Sequence, residues 1–236
     1  MTPQCNSALL YTKQPLLTQS RPVTVISSNG AVKTKEKPKN TKERLKNKIK
    51  CVIVGDQAVG KTSLAVSYSN DSFPSEYVPT AYDNYNVEVQ VDGKPIRVEL
   101  CDTAGEDGLN PLRHLCYPGT DVFMLCFSIV KPNSFISACT RWADELTRQG
   151  AAVVLVGTQS DLKTNIEVIN RLRDVGQRPV LSSEAKGLAE RLNAPYIETS
   201  ALACTHLKEA FDIAILRALE RQRMKKRFWK KLCCVR

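Results

Sequence analysis

The chain has 236 residues, 42% of them hydrophobic, and a formal net charge of +10, which suits one packed domain of generous size. The charge is uneven: residues 1–30 carry +2, 31–50 carry +7 and 221–236 carry +8, leaving −7 on residues 51–220. No apolar run approaches a membrane span, and nine cysteines without a C-x-x-C pair exclude the common zinc frameworks; they fit a reducing cytosol, most of them as small core residues such as Cys51, Cys101 and Cys126.

Two basic arms on an acidic body are made to meet phosphate, of nucleic acid or of an anionic membrane leaflet, and composition leaves both open. Residues 1–47 are rich in Ser, Thr, Asn, Pro and Lys without helical period, and are expected to form a disordered basic extension. They show neither a secretory pattern nor the Met-Gly start of N-myristoylation. The folded domain is expected over 48–222, and 223–236 as a basic tail.

Residues 49–54 are a short apolar run that reads as a buried strand. They lead into 55–62, which fits the phosphate-loop pattern G-x-x-x-x-G-K-[ST] through Gly55, Gly60, Lys61 and Thr62. A helix opens at Ser63. Strand, glycine turn and helix are the context the pattern needs. Amides of the loop and the helix start, Ala58, Val59 and Ser63 among them, point at an anion, and the helix dipole adds to their pull. Lys61 places a point charge on the outer phosphates, and the Thr62 hydroxyl reaches Mg²⁺.

Further along, 87–91 and 96–100 alternate apolar and polar residues around Asp92-Gly93-Lys94, a hairpin. Residues 121–127 and 151–156 are continuous apolar runs, as in strands covered on both faces, with helical segments near 133–148 and 205–222 and a last short strand at 195–199. The pattern predicts an α/β doubly wound sheet, mostly parallel and six-stranded, with one antiparallel strand.

Ligand sites in such folds lie beyond the carboxyl ends of the strands. Asp102-Thr103-Ala104-Gly105 follows one strand: the Asp102 carboxylate suits Mg²⁺ and the Gly105 amide a terminal phosphate. Thr158-Gln159-Ser160-Asp161 follows another, where a carboxylate accepts from guanine N1–H and the exocyclic amine that adenine lacks. Ser200-Ala201-Leu202 follows the last strand, where an amide meets guanine O6. Each motif alone reads equally as a turn or a helix cap; their order, each after a strand, makes the set specific.

With these motifs, residues 49–222 resemble a small GTPase of the Ras superfamily and, more narrowly, of the Rho family, with a P-loop NTPase fold and GTP/GDP and Mg²⁺ as ligands. Residues 73–80, Phe-Pro-Ser-Glu-Tyr-Val-Pro-Thr, resemble the Rho switch I. The resemblance implies that Phe73 lies across the guanine, that Thr80 joins Thr62 and Asp102 at the metal, and that Tyr77, Ala81, Tyr82, Asp83 and Tyr85 face effectors. It also implies an inserted helix, for which residues 164–180 are the candidate. The Gly-Thr-Gln-Ser-Asp-Leu stretch, the long N-terminal arm and Cys233-Cys234 are similar to the atypical RhoU/RhoV-like subgroup. Implied partners are exchange factors, effectors such as CRIB-type kinases acting on the actin cytoskeleton, cell shape or migration, and anionic lipids. Nucleic acid is not expected, since stacking platforms and base-reading modules are lacking.

Two departures fall on the hydrolytic machinery. Gln57 stands where the family has glycine, and crowds the attacking water and any arginine finger. Glu106 stands where the family has the glutamine that orients the water; shifting the alignment to Asp107 restores none. A carboxylate cannot donate to the phosphate oxygens, and its charge opposes the charge developing there. Catalysis would then rest on Lys61, and slow hydrolysis is expected; the alternative is a conventional cycling GTPase that tolerates both changes. In the tail, Phe228 and Trp229 among lysines suit a membrane interface, and Cys233 and Cys234 are candidates for palmitoylation. Formally 233–236 is also a prenylation box, with an unusual terminal Arg. The expected location is the cytoplasmic face of the plasma membrane or endomembranes, with a cytosolic pool.

Overall fold

The computed structural model describes residues 17–19, 48–74 and 82–233. At its centre is a sheet of β1 (Leu17–Gln19), β2 (Lys48–Val54), β3 (Tyr82–Val91), β4 (Lys94–Thr103), β5 (Val122–Ser128), β6 (Ala152–Thr158) and β7 (Tyr196–Glu198). The order across it is β1-β3-β4-β2-β5-β6-β7. From β4 to β7 the pairings are parallel, and β3 runs antiparallel to β4 through the hairpin at Asp92-Gly93. That is the doubly wound sheet of five parallel strands and one antiparallel strand read from the pattern, with one addition. Leu17–Gln19 pairs antiparallel with Val89–Val91, so the expectation of a wholly disordered 1–47 is corrected at these three residues. An outermost strand leaves a row of backbone groups unpaired, and any extended stretch within reach is drawn to it.

The core forms two layers because inward residues alternate along the central strands. Ile49, Cys51, Ile53, Met124 and Cys126 face α1 (Lys61–Asn70) and the last helix, where Tyr68 stacks on Phe211 at 3.8 Å. Val52, Val54, Phe123, Leu125 and Phe127 face the opposite helices. These are α3 (Pro132–Ser137), which continues through a π-helical turn (Ala138–Trp142) into α4 (Ala143–Gln149), and α6 (Ser182–Arg191). A short α2 (Asn110–Leu115) follows a 3-10 turn after β4. The inserted helix is α5 (Ile166–Asp174), capped by the Asn165 side chain, which accepts from the Val168 amide; 175–181 are irregular.

The last helix, α7, runs unbroken over Leu207–Cys233. The helix expected near 205–222 therefore continues across 222/223 without a break. No Gly or Pro interrupts the helix, and Arg, Lys, Gln and Met are good helix formers. Its first half is held by Phe211, Ala214, Ile215 and Ala218 in the core, while Met224 and Phe228 are exposed. Among the described residues, no helix is long and apolar enough to cross a membrane. Tyr77, Thr80, Ala81 and Cys234 lie outside the described residues, as does most of 1–47.

Candidate nucleotide-binding site

β2 is the point where the strand order reverses, so the loop after it opens into the crevice between its two neighbours. The loop can make that turn only with glycine at its first position. Gly55 has φ 141°, and a Cβ there would lie 2.1 Å from the Cys126 carbonyl oxygen. Gly60 starts α1 in the left-handed region, at φ 89°. Ala58 is also left-handed, at φ 56°, and its carbonyl accepts from Lys131 Nζ at 2.9 Å. Asp56 is held by Trp142, whose indole Nε1 donates to its carboxylate at 2.8 Å. Val59 is fully buried and offers only its backbone.

Lys61 is buried, with its ammonium donating to the Asp56 carbonyl at 2.9 Å. Burial holds its pKa below the usual lysine value, against the pull of Asp102. A cation kept there at such cost has a use for an anion. Thr62 Oγ1 donates to Asp102 Oδ2 at 2.6 Å. The other oxygen, Asp102 Oδ1, is buried and has no hydrogen-bond partner among the described residues, and burial pushes the carboxyl up to about 6, although Thr62 and Lys61 act against it. An orphaned carboxylate oxygen beside a hydroxyl fits Mg²⁺, a hard cation that takes few protein ligands beside phosphates and water. Asp102 and Thr62 would hold the ion, which would neutralise phosphate charge. Among the described residues, no group of three or more His, Cys, Asp or Glu is gathered for a metal held by protein alone.

Beside this loop is a cavity of about 170 Å³. Its walls gather Gly60, Ser63, Phe73, Thr158, Gln159, Asp161, Ala201 and Leu202, together with Leu64, Leu162 and Thr199. Residues from four separate stretches of sequence thus share one pocket, in the place where a base would lie next to the phosphate loop. Thr158 is a loop holder: its hydroxyl is 2.5 Å from the Val59 carbonyl and 3.0 Å from that of Phe127. Gln159 adopts φ 58° and receives the Ser128 hydroxyl on Oε1 at 2.5 Å. Ser200 is fully buried, with its amide donating to the Thr205 carbonyl and its Oγ accepting from the Ala203 amide. The amides left to face a base oxygen are therefore those of Ala201 and Leu202.

The two departures lie on either side of one tight backbone contact. Gly105 packs so closely that a Cβ would lie 2.3 Å from Asp56 C and Gln57 N. Glu106 is the next residue, and both its side chain and that of Gln57 are exposed. On the neighbouring surface Tyr82 and Asp83 are exposed and Tyr85 is half-buried, its hydroxyl 3.4 Å from Asp83 Oδ2. Leu112 and Leu115 of α2 are exposed too.

Several supporting residues had no signal in the sequence. Arg113 is buried against the Trp142 ring at 4.5 Å, with Nε donating to the Tyr117 hydroxyl at 3.2 Å and NH1 to the Ala104 carbonyl at 3.4 Å. Through Trp142 and Asp56 it connects the segment after β4 to the phosphate loop. The π-helical turn supplies Trp142, and such turns are frequent near functional sites.

Comparison with known proteins points the same way. The Ras family model matches residues 50–220. The Rho-related GTP-binding protein RhoV of Bos taurus is 47% identical over 203 residues, covering 79% of this chain and 86% of that protein. The RhoV proteins of Rattus norvegicus and Homo sapiens match with the same identity and coverage.

Proposed function

This chain belongs to the Ras family and, within it, to the Rho-type GTP-binding signalling proteins of the RhoU/RhoV-like subgroup, and from that membership we propose a switch that hydrolyses GTP slowly and rests mostly in its GTP-bound state. The observation that carries this reading is the packing of Gly105 against the Gln57 backbone, which sets Gln57 and Glu106 close together. The Gln57 side chain would crowd the space beside the outer phosphate, and the Glu106 carboxylate beyond Gly105 can accept but not donate. Control would then pass from hydrolysis to nucleotide exchange, amount and location. Protein recovered from its own cells is expected to carry mainly GTP, read by chromatography of the nucleotide released on denaturation. A predominance of GDP would favour conventional cycling instead.

In the same reading Thr62 and Asp102 would hold Mg²⁺, with Thr80 as a further ligand, and the ion would supply positive charge against the phosphates. Effectors would be engaged through Tyr77, Ala81, Tyr82, Asp83 and Tyr85. Among the described residues, only Val89–Val91 of the outer edge of β3 is paired, by β1, which supports partners that add a strand there; effectors such as CRIB-type kinases belong to the same reading. Actin organisation, cell shape or migration would be the output.

The C-terminal end of α7 would hold the protein on the cytoplasmic face of the plasma membrane or endomembranes. Each basic residue near an anionic leaflet contributes about 1 kcal/mol, and stable anchoring needs a second signal such as an acyl chain. Cys233 and Cys234 are the acceptors we assign to that chain. A Cys233→Ser/Cys234→Ser variant is expected to move from the membrane fraction to the cytosolic fraction. Unchanged membrane association would defeat the acyl-anchor assignment.

A further inference from the structure

The two loops that wall the base cavity are tied together behind it by one carboxylate. Glu198 ends β7, directly before Thr199 and the Ser200–Leu202 turn. Lys163 ends two residues beyond Asp161, and its Nζ donates to both Glu198 oxygens, at 2.9 and 3.1 Å. The Ser182 hydroxyl at the start of α6 donates to Glu198 Oε1 and accepts from Lys163 Nζ at 3.2 Å. Tyr196 OH donates to the same Oε1 at 3.0 Å. The backbone carbonyl of Glu198 meanwhile faces His206 Nδ1 at 3.1 Å, at the far end of the second loop. A carbonyl only accepts, so that nitrogen donates. Two backbone hydrogen bonds also join these segments near the cavity, Ser160 N to Thr199 O at 3.0 Å and Thr199 N to Gly157 O at 2.7 Å.

We infer that Lys163, Glu198 and Ser182 form a positioning brace that sets guanine discrimination and the rate of nucleotide release. None of the three lines the cavity, so they act through Asp161 and the Ala201–Leu202 amides and not on the base. Reading guanine takes two parallel contacts from one carboxylate, to N1–H and to the exocyclic amine. A small tilt of the loop loses one contact before the other, and with it the discrimination. Lys163 and Glu198 are partly buried, with side chains 34% and 22% exposed, where a charge-assisted contact is screened less than on an open surface. Three donors on Glu198 hold its carboxyl below the usual range although burial works the other way. The inference rests on Asp161 as the reader of guanine.

The test compares release of GDP with release of inosine diphosphate, which lacks the exocyclic amine, from the full chain and its variants. Losing one charge-assisted contact corresponds to about a tenfold change. Lys163→Met is expected to speed GDP release about tenfold and inosine diphosphate release less, so that the preference between them shrinks. Lys163→Arg is expected to recover most of both. Ser182→Ala, which leaves the Lys163–Glu198 pair in place, is expected to give a smaller change in the same direction, and it keeps the test alive if Lys163→Met does not fold. A fold staple with no such role would lower the melting temperature and leave the GDP preference unchanged, and that outcome overturns the brace. A wild-type chain that fails to prefer GDP would overturn the Asp161 reading itself.

Discussion

Replacing Lys61 by methionine is expected to weaken GDP and GTP binding about thirtyfold or more, while leaving the nucleotide-free protein no less stable. Both halves follow from one observation. The Lys61 ammonium is buried and donates to a neutral carbonyl, that of Asp56. Burial depresses its pKa because the charged form is costly to keep out of water. Asp102 offsets part of that cost, but its own carboxyl is pushed upward, so the pair is not a mutually satisfied ion pair. Methionine has similar length and no charge, so the cost of burying the charge disappears and the packing remains. Phosphate binding then loses a desolvated charge contact, and removing one partner of such a contact costs about 2–5 kcal/mol. Titration with a fluorescent GDP analogue reads the first half, and thermal unfolding without nucleotide reads the second. Unchanged affinity would remove Lys61 from the phosphate site. A large drop in melting temperature would mean that the residue serves the fold.

Much of this architecture is legible from local pattern. Residues 122–128 are all buried and fall almost wholly in the apolar run read at 121–127, and β3 and β4 alternate around an Asp-Gly turn. The motif residues are legible because each chemical group follows a strand end, where the fold itself gathers strand ends on one side of the sheet. What escapes the sequence depends on distance along the chain. Trp142 and Asp56 are 86 residues apart, and Lys163 and Glu198 are 35 apart; neither pair has a spacing rule. The π-helical turn that aims Trp142 has no signature in Ala-Cys-Thr-Arg-Trp. The length of the last helix escapes for the opposite reason. The charge pattern changes at 221 while helix propensity does not, and the backbone follows propensity.

Restoring glycine at 57 and glutamine at 106 together is expected to raise the rate of GTP hydrolysis at least about a hundredfold, the scale at which losing one donor to a developing oxyanion is felt. The two positions act on one small volume. Gly105 packs against the Gln57 amide so tightly that no side chain would fit between them, and Glu106 leaves that contact directly. Gln57→Gly opens the space for the water, and Glu106→Gln supplies a group that both accepts from the water and donates to phosphate oxygen. Each single change is expected to recover less than the pair, because an oriented water needs both room and a partner. Nucleotide affinity should move little, since Lys61, Thr62 and Asp161 are untouched. The most direct measurement is single-turnover hydrolysis of pre-bound GTP by the wild-type chain beside the Gln57→Gly/Glu106→Gln chain. The wild-type rate is expected to fall far below that of the double variant; equal rates would contradict slow hydrolysis through Gln57 and Glu106.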